Sequence, residues 1–187
     1  MAIRIRTALT GDAEDIASVQ WQSWQAAYLG LLPHEVMIGF GQNQSSRFWQ
    51  RVLSGRRDGG DVLVAELDEE IVGFISAGPA RANMPGYQGE FYAIYVLPEA
   101  QGCGIGTAMV TYAAKTLMQQ RWLGAAVWVL EGNHLGRKFY ERLGGAPLGL
   151  AKPLTYRGKE FPQVREVAYG WPDLRRAAWL VDQPDNR

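Results

Sequence analysis

Between a β-rich run and a helical stretch stands Gln101-Gly102-Cys103-Gly104-Ile105-Gly106. Glycines at alternate positions let backbone N–H groups converge on one point, and the helix that follows adds the positive end of its dipole. Chemically this is a phosphate cradle. The same spacing also suits a tight strand-to-helix turn that holds nothing. Two common phosphate loops are excluded. From Gly102 the last glycine of Gly-x-Gly-x-x-Gly falls on Thr107, and from Gly104 it falls on Met109. The nucleoside-triphosphate loop requires Gly-Lys followed by Ser or Thr, a tripeptide the chain lacks. His34, His134 and Cys103 have no partners at zinc-ligand spacing, so no metal site is expected.

The elements around the loop follow from periodicity. Ile3-Arg4-Ile5-Arg6 alternates as a strand, and a helix is expected from Asp12 to about Tyr28, with Ile16, Val19, Trp24 and Ala27 at helical spacing. Shorter helices are expected near His34 to Ile38 and Ser45 to Leu53. Val62 to Ala65 and Ile71 to Ile75 flank Asp68-Glu69-Glu70 and predict an antiparallel hairpin. Glu90 to Leu97 is almost wholly apolar or aromatic and predicts a central strand covered on both faces. After the loop, Met109, Tyr112, Ala113 and Leu117 form a helical stripe, Ala125 to Leu130 a buried strand, and Leu135 to Leu143 a helix closed by Gly144-Gly145. Strand, helix, strand implies a parallel pair with a crossover. Two last strands are expected at Leu148 to Tyr156 and Phe161 to Tyr169, with a short helix starting at Trp171-Pro172-Asp173.

The 187 residues predict a single domain over 1–181 with a frayed tail at 182–187. Lys plus Arg number 19 and Asp plus Glu 19, so no excess of positive charge favours nucleic acid or an anionic membrane. Charges at Arg4 and Arg6 interrupt any apolar leader, and no stretch approaches the roughly 20 apolar residues of a membrane span. With Cys103 as the lone cysteine, a reducing, cytoplasmic location is expected.

The loop fills every specified slot of Gln/Arg-x-x-Gly-x-Gly/Ala, and by it the chain resembles the GCN5-related N-acetyltransferases, the GNAT superfamily. Asn133-His134-Leu135-Gly136-Arg137-Lys138-Phe139-Tyr140-Glu141-Arg142-Leu143-Gly144 is similar to that family's Asn-x-x-Ala-x-x-Phe-Tyr-Glu-Lys-x-Gly helix. The likeness extends to Ile5-Arg6 with Asp12-Ala13 and to Val167-Ala168-Tyr169. Gly136 departs from the usual alanine, loosening its helix by ~1 kcal/mol, and Gly145 replaces a usual phenylalanine.

The resemblance implies an α/β fold of mixed α+β kind: a twisted, mostly antiparallel sheet with one splayed parallel pair and helices on both faces. Acetyl-CoA would lie between Glu90 to Leu97 and Ala125 to Leu130. Backbone groups of Ile94 and Val96, flanking Tyr95, would pair with pantetheine amides. Gln101 would lead the pyrophosphate loop formed by Gly102, Cys103, Gly104, Ile105, Gly106 and Thr107. Asn133, Gly136, Arg137 and Tyr140 would complete the cofactor side.

For catalysis the likeness assigns Glu90 as the base that drains the ammonium proton, with Tyr92 in reserve, and Tyr140 as the acid for the leaving thiolate. Trp24, Tyr28, Leu31 and Tyr92 are expected at the acceptor amine, with Trp21, Tyr156 and Phe161 nearby. The implied function is direct transfer of an acetyl group from the CoA thioester to a primary amine of a small molecule or amino acid. A peptide or protein amine as acceptor, and a non-catalytic acyl-CoA sensor, are the alternatives. Retention of both Glu90 and Tyr140 argues against the sensor, and homodimerisation is left open.

Overall fold

Seven apolar runs become strands: β1 (Ile3–Thr7), β2 (Asp61–Leu67), β3 (Glu70–Pro79), β4 (Gly89–Val96), β5 (Ala125–Leu130), β6 (Ala146–Tyr156) and β7 (Lys159–Trp171). The helices are α1 (Ala13–Tyr28), α2 (His34–Gly39), α3 (Gln42–Ser54), α4 (Ile105–Gln119) and α5 (His134–Arg142). These come from a computed structural model that describes residues 3–39, 41–55 and 60–177. The expected domain end at 181 and the tail at 182–187 lie outside the described residues. Among those residues, no helix is long and apolar enough to cross a membrane.

The strands form one sheet in the order β1-β2-β3-β4-β5-β7-β6, antiparallel throughout except for β4 beside β5. One face is covered by α4, whose Met109, Ala113 and Leu117 pack with Leu63, Ile75, Phe91 and Val127. Truncating Leu117 to alanine would cost about 2–5 kcal/mol through lost burial and the cavity left behind. The other face receives Ile16 and Val19 of α1 and Trp49 of α3 against Val62, Val64 and Phe74. Buried Gln20 pins α3 to α1, accepting from Ser45 Oγ at 2.5 Å and Trp49 Nε1 at 2.8 Å. At the start of α1, Asp12 accepts from Arg6 at 2.6 and 3.1 Å and from the Leu9 N–H at 2.7 Å.

β4 and β5 pair only at Gly89–Ala125, Glu90–Ala126 and Phe91–Val127. The parting follows from a bulge. Ser76 of β3 faces Ala93 while Ala77 faces Phe91, leaving Tyr92 as the extra residue. Phe91, Ile94 and Val96 consequently join the α4-side core, whereas Ala93 and Tyr95 join the α1-side core. A bulge bends its strand, and here the bend carries β4 away from β5.

Most strands run a few residues beyond the sequence reading, β3 as far as Pro79, and two differences have a local cause. β7 continues through Trp171, which pairs with Ala125 and donates Nε1–H to the Leu143 carbonyl at 2.7 Å, so only a 3-10 turn at Leu174–Arg176 follows. α3 begins at Gln42 because the polar Gln42-Asn43-Gln44 turn is helical without contributing to the apolar stripe.

Candidate active site

Where β4 and β5 part, a cleft of about 860 Å³ opens, running from the loop before α4 to the walls formed by α1 and β7. At the loop end, Gly102 and Gly104 have φ of 80° and 82°, a left-handed conformation natural to glycine. The first helical bond of α4 is Ala108 N–H to Gly104 O at 3.0 Å, so the N–H groups of Ile105, Gly106 and Thr107 precede the ladder. α4 has neither a side-chain cap nor an acidic residue in its first turn. A Cβ built on Gly102 or Gly104 would meet no atom within 4 Å, whereas one on Gly106 would stand 3.1 Å from the Phe139 ring. Open space before uncapped N–H groups fits a phosphate.

The neighbouring strand edge fits an amide-bearing arm. Leu97 gives its N–H to Val72 O at 2.9 Å, toward β3, so by strand alternation the backbone groups of Val96 and Ile94 face the cleft. The Val96 carbonyl accepts from Gln101 Nε2 at 3.0 Å and Ser23 Oγ at 3.3 Å. Gln101 thereby ties the loop to the strand end.

Asn133 caps α5, its Oδ1 accepting the Gly136 N–H at 3.0 Å. Its amide nitrogen is left for a hydrogen bond to the Tyr28 hydroxyl, which also bonds Tyr95. The Trp24 ring meets Tyr28 edge-on at 5.2 Å. Burial pushes the phenols of Tyr28 and Tyr95 above their ordinary range. Tyr140 is 6% exposed, lines the cleft and is pushed up by burial and then by neighbouring Tyr28. It therefore holds its proton throughout the neutral range. Its ring packs against Phe139 and Trp171.

A family model described as Acetyltransferase (GNAT) family matches residues 14–145. The chain belongs to the GNAT family. Over 185 residues it is 34% identical to YuaI of Bacillus subtilis, an uncharacterized N-acetyltransferase, covering 97% of this chain and 99% of that one. The fold is shared with the PaiA N-acetyltransferase of Thermoplasma acidophilum, solved with coenzyme A, at TM-score 0.63 and 23% identity over 89% of this chain and 98% of that chain. A GCN5-related N-acetyltransferase from Rhodopseudomonas palustris superposes at TM-score 0.69 with 18% identity, covering 91% and 95%. As a GNAT protein this chain is an acyltransferase whose donor is acetyl-CoA, and the donor groups at the loop and on β4 fit that molecule.

Most residues expected around a GNAT site do line the cleft: Ile94, Tyr95 and Val96 on β4, Gln101, Gly102 and Gly104 to Thr107 in the loop and α4, Asn133, Gly136 and Tyr140 after β5, and Trp24, Tyr28, Leu31 and Tyr92 at the far end. Three do not. Cys103 points outward and is exposed. Arg137 turns away, donating to the Tyr169 hydroxyl and the Glu131 carbonyl, each at 3.1 Å. Glu90, the expected base, is 1% exposed and shares the α1 side of β4 with Tyr92, yet it is absent from the cleft wall. Its carboxylate accepts from the Arg81 backbone N–H at 2.8 Å, from Arg81 Nε at 3.0 Å and from Arg81 Nη2. The reason lies in Arg81, a loop residue whose guanidinium also covers the Tyr92 ring at 4.6 Å. Tyr92 in turn gives its hydroxyl to Pro79 O.

Behind the acceptor wall, Phe161 packs with Leu32, Val36 and Leu130, and Tyr156 against them, without reaching the cleft. Trp21 likewise stays outside it. Both departures from the GNAT helix pattern have a local cause. A Cβ on Gly136 would stand 2.8 Å from Asn133 Nδ2, and one on Gly145 would stand 2.8 Å from Trp171 Cζ2. The Trp171 ring occupies the space that a side chain at 145 would need. Sequence reasoning missed Glu166, which lines the cleft from β7. In the sequence it stands beside Arg165 and reads as part of a solvated strand face.

Proposed function

We propose that the protein transfers an acetyl group from acetyl-CoA directly to a primary amine of a small molecule or amino acid, within a single domain spanning 1–181. The observation that carries this reading is the continuity of one cleft. It joins the uncapped start of α4, the edge of β4 that parts from β5, the Tyr140 phenol and an aromatic far wall. When bound, acetyl-CoA supplies an acyl carbon activated as a thioester.

The chain's own residues do the rest. The N–H groups of Gly102 to Thr107 hold the pyrophosphate, and Ile94 and Val96 orient the arm along β4. Gln101 and Ser23, which engage the Val96 carbonyl, are the groups that must yield to it. Asn133 fixes Tyr28 and offers its second amide hydrogen to the arm. Tyr140 holds a proton for the sulfur as the C–S bond breaks. The incoming neutral nitrogen forms the new C–N bond as the C–S bond breaks, and the proton it releases replaces the one Tyr140 gives to sulfur, so the balance is amine plus thioester to amide plus thiol. Glu90 acts as a positioning group, holding Arg81 over Tyr92.

A small acceptor is favoured over a protein one because Trp24, Tyr28, Leu31, Leu32 and Leu130 wall the far end, with Val36 and Phe161 packed behind Leu32 and Leu130. The lone, exposed Cys103 supports a cytoplasmic location. The test is CoA release from acetyl-CoA over a panel of primary amines. Turnover by the wild type and none by a folded Gly104→Val variant is expected; acetyl-CoA binding without turnover of any amine or peptide would return the sensor reading.

A further inference from the structure

Among the described residues that line the cleft there is one carboxylate, Glu166. It stands opposite Leu130 of β5 and Lys152 of β6. Residues opposed across antiparallel strands share a face, so Glu166 stands on the side of Leu130, where Leu32 and Val36 pack. Trp128, two residues before Leu130, lines the cleft on that same side.

The surroundings of Glu166 differ from those of Glu90. The Lys152 ammonium lies 3.6 Å from Glu166 Oε2, beyond ordinary hydrogen-bond length, and 4.2 Å from the centre of the Trp128 ring. This corner therefore already accommodates a primary ammonium between a carboxylate and an indole face. The Glu166 side chain keeps 23% exposure, and its charge reaches the Tyr28 phenol across the cleft. Around it the wall is aromatic and aliphatic: Trp24, Tyr28, Trp128, Leu31 and Leu154. The guanidinium of the lining, Arg142, belongs to α5, whose Tyr140 joins the α4-side core, and so approaches from the opposite face of the sheet.

A carboxylate unsaturated by hydrogen bonds in such a wall attracts a cation, and an aromatic face strengthens the attraction. It repels a second carboxylate equally directly. We propose that Glu166 anchors the acceptor's amine as it arrives charged, that the ammonium gives one proton to solvent water before its nitrogen attacks, and that this acceptor is a primary amine on an apolar or aromatic skeleton with no carboxylate beside the amine. Exposed Lys152 stands in that corner in the absence of ligand, so the acceptor's ammonium shares Glu166 with it or displaces it into solvent. The inference rests on the acetyl-CoA reading of the cleft and narrows its acceptor.

The experiment uses calorimetry on the full chain saturated with CoA, which prevents turnover, and three probes of one skeleton: 2-phenylethylamine, 2-phenylethanol and phenylalanine. The wild type should bind the amine at least about 10-fold more tightly than the alcohol or the amino acid, in keeping with one charge-assisted contact. Glu166→Gln should weaken the amine by about 10–100-fold and erase the ranking with CoA affinity unchanged. Glu166→Asp should retain the ranking at reduced affinity. A Glu166→Gln protein that binds CoA and ranks the probes as the wild type does would overturn the anchor. Phenylalanine binding to the wild type as tightly as the amine would overturn the acceptor class without use of any variant. Failure of the wild type to bind CoA would instead remove the underlying reading, and the proposal with it.

Discussion

At the α4 end of the cleft the ligand-facing groups are backbone N–H donors and the strand edge where β4 leaves β5, while at the β7 end they are side chains drawn from α1, β4, β5 and β7. The first kind of surface is specified by a few glycines and a bend in β4, and nearly any side chains can surround it. The second changes with each substitution. A protein built this way can keep one acyl donor while its acceptor varies, with the two ends joined across the middle through Asn133, Tyr28 and Tyr95.

That division predicts effects confined to one end. Gly104→Val combines a β-branched residue with a φ of 82° and fills the space before the α4 N–H groups. It should weaken acetyl-CoA on the order of 10³-fold, the loss of two or more charge-assisted hydrogen bonds, while amine binding measured without cofactor stays the same. Unchanged cofactor affinity in the folded variant would overturn the loop as the pyrophosphate cradle, and a parallel loss of amine binding would show that the two ends are not separable.

Tyr140→Phe should lower kcat by about 10²-fold with acetyl-CoA affinity intact, because it removes only the proton offered to sulfur. Burial raises this phenol, so the loss should be constant from pH 6 to 9. Stopped-flow measurement of the chemical step checks this. A falling limb of wild-type kcat within that range, absent from the variant, would mean the phenol is less shielded than its burial requires.

Glu90→Gln sharpens the comparison between the two carboxylates. With Arg81 occupying both oxygens, the change should reduce stability by about 1–3 kcal/mol and lower kcat less than about 10-fold, a far smaller loss than removal of a general base produces. Denaturant melts and steady-state rates measure the two quantities. A larger kcat loss that recovers at high pH would return the proton-accepting role to Glu90.

The smallest effect belongs to Asp12, where α1 begins its run toward Trp24 and Tyr28. The Arg6 side chain holds the Asp12 carboxyl below the usual carboxylate range, opposed by burial and aided by the Leu9 N–H. A depressed pKa contributes stability above the unfolded value and loses it as pH falls through the folded value. Asp12→Asn should therefore cost about 1 kcal/mol at pH 7 and progressively less in acid. Thermal melts between pH 2 and 7 test this, and a constant difference would separate Asp12 from the acid transition.

Much of the α4 end was legible in the sequence because its signals are local. The loop glycines, the apolar stripe of Met109, Ala113 and Leu117, and the run from Glu90 to Leu97 each announce themselves within one element. The acceptor end depended on contacts distant in sequence. Nothing in the sequence around Arg81 shows that it folds back onto Glu90. Nor does alternation reveal Glu166, since only its alignment with Leu130 places it at the cleft. The bulge at Tyr92 was hidden for the same reason: it is a mismatch between two strands, and neither strand carries it alone.

The short pairing of β4 with β5 also has a mechanical meaning. Three residue pairs are all that join the plate β1–β4 to the plate β5–β7 within the sheet. The apolar core under α4 spans both plates, joining Leu63, Ile75 and Phe91 to Val127, Val129 and Trp171. A molecule lodged in the gap would add a splint within the sheet itself, so occupancy should slow amide exchange on both sides of the seam at once.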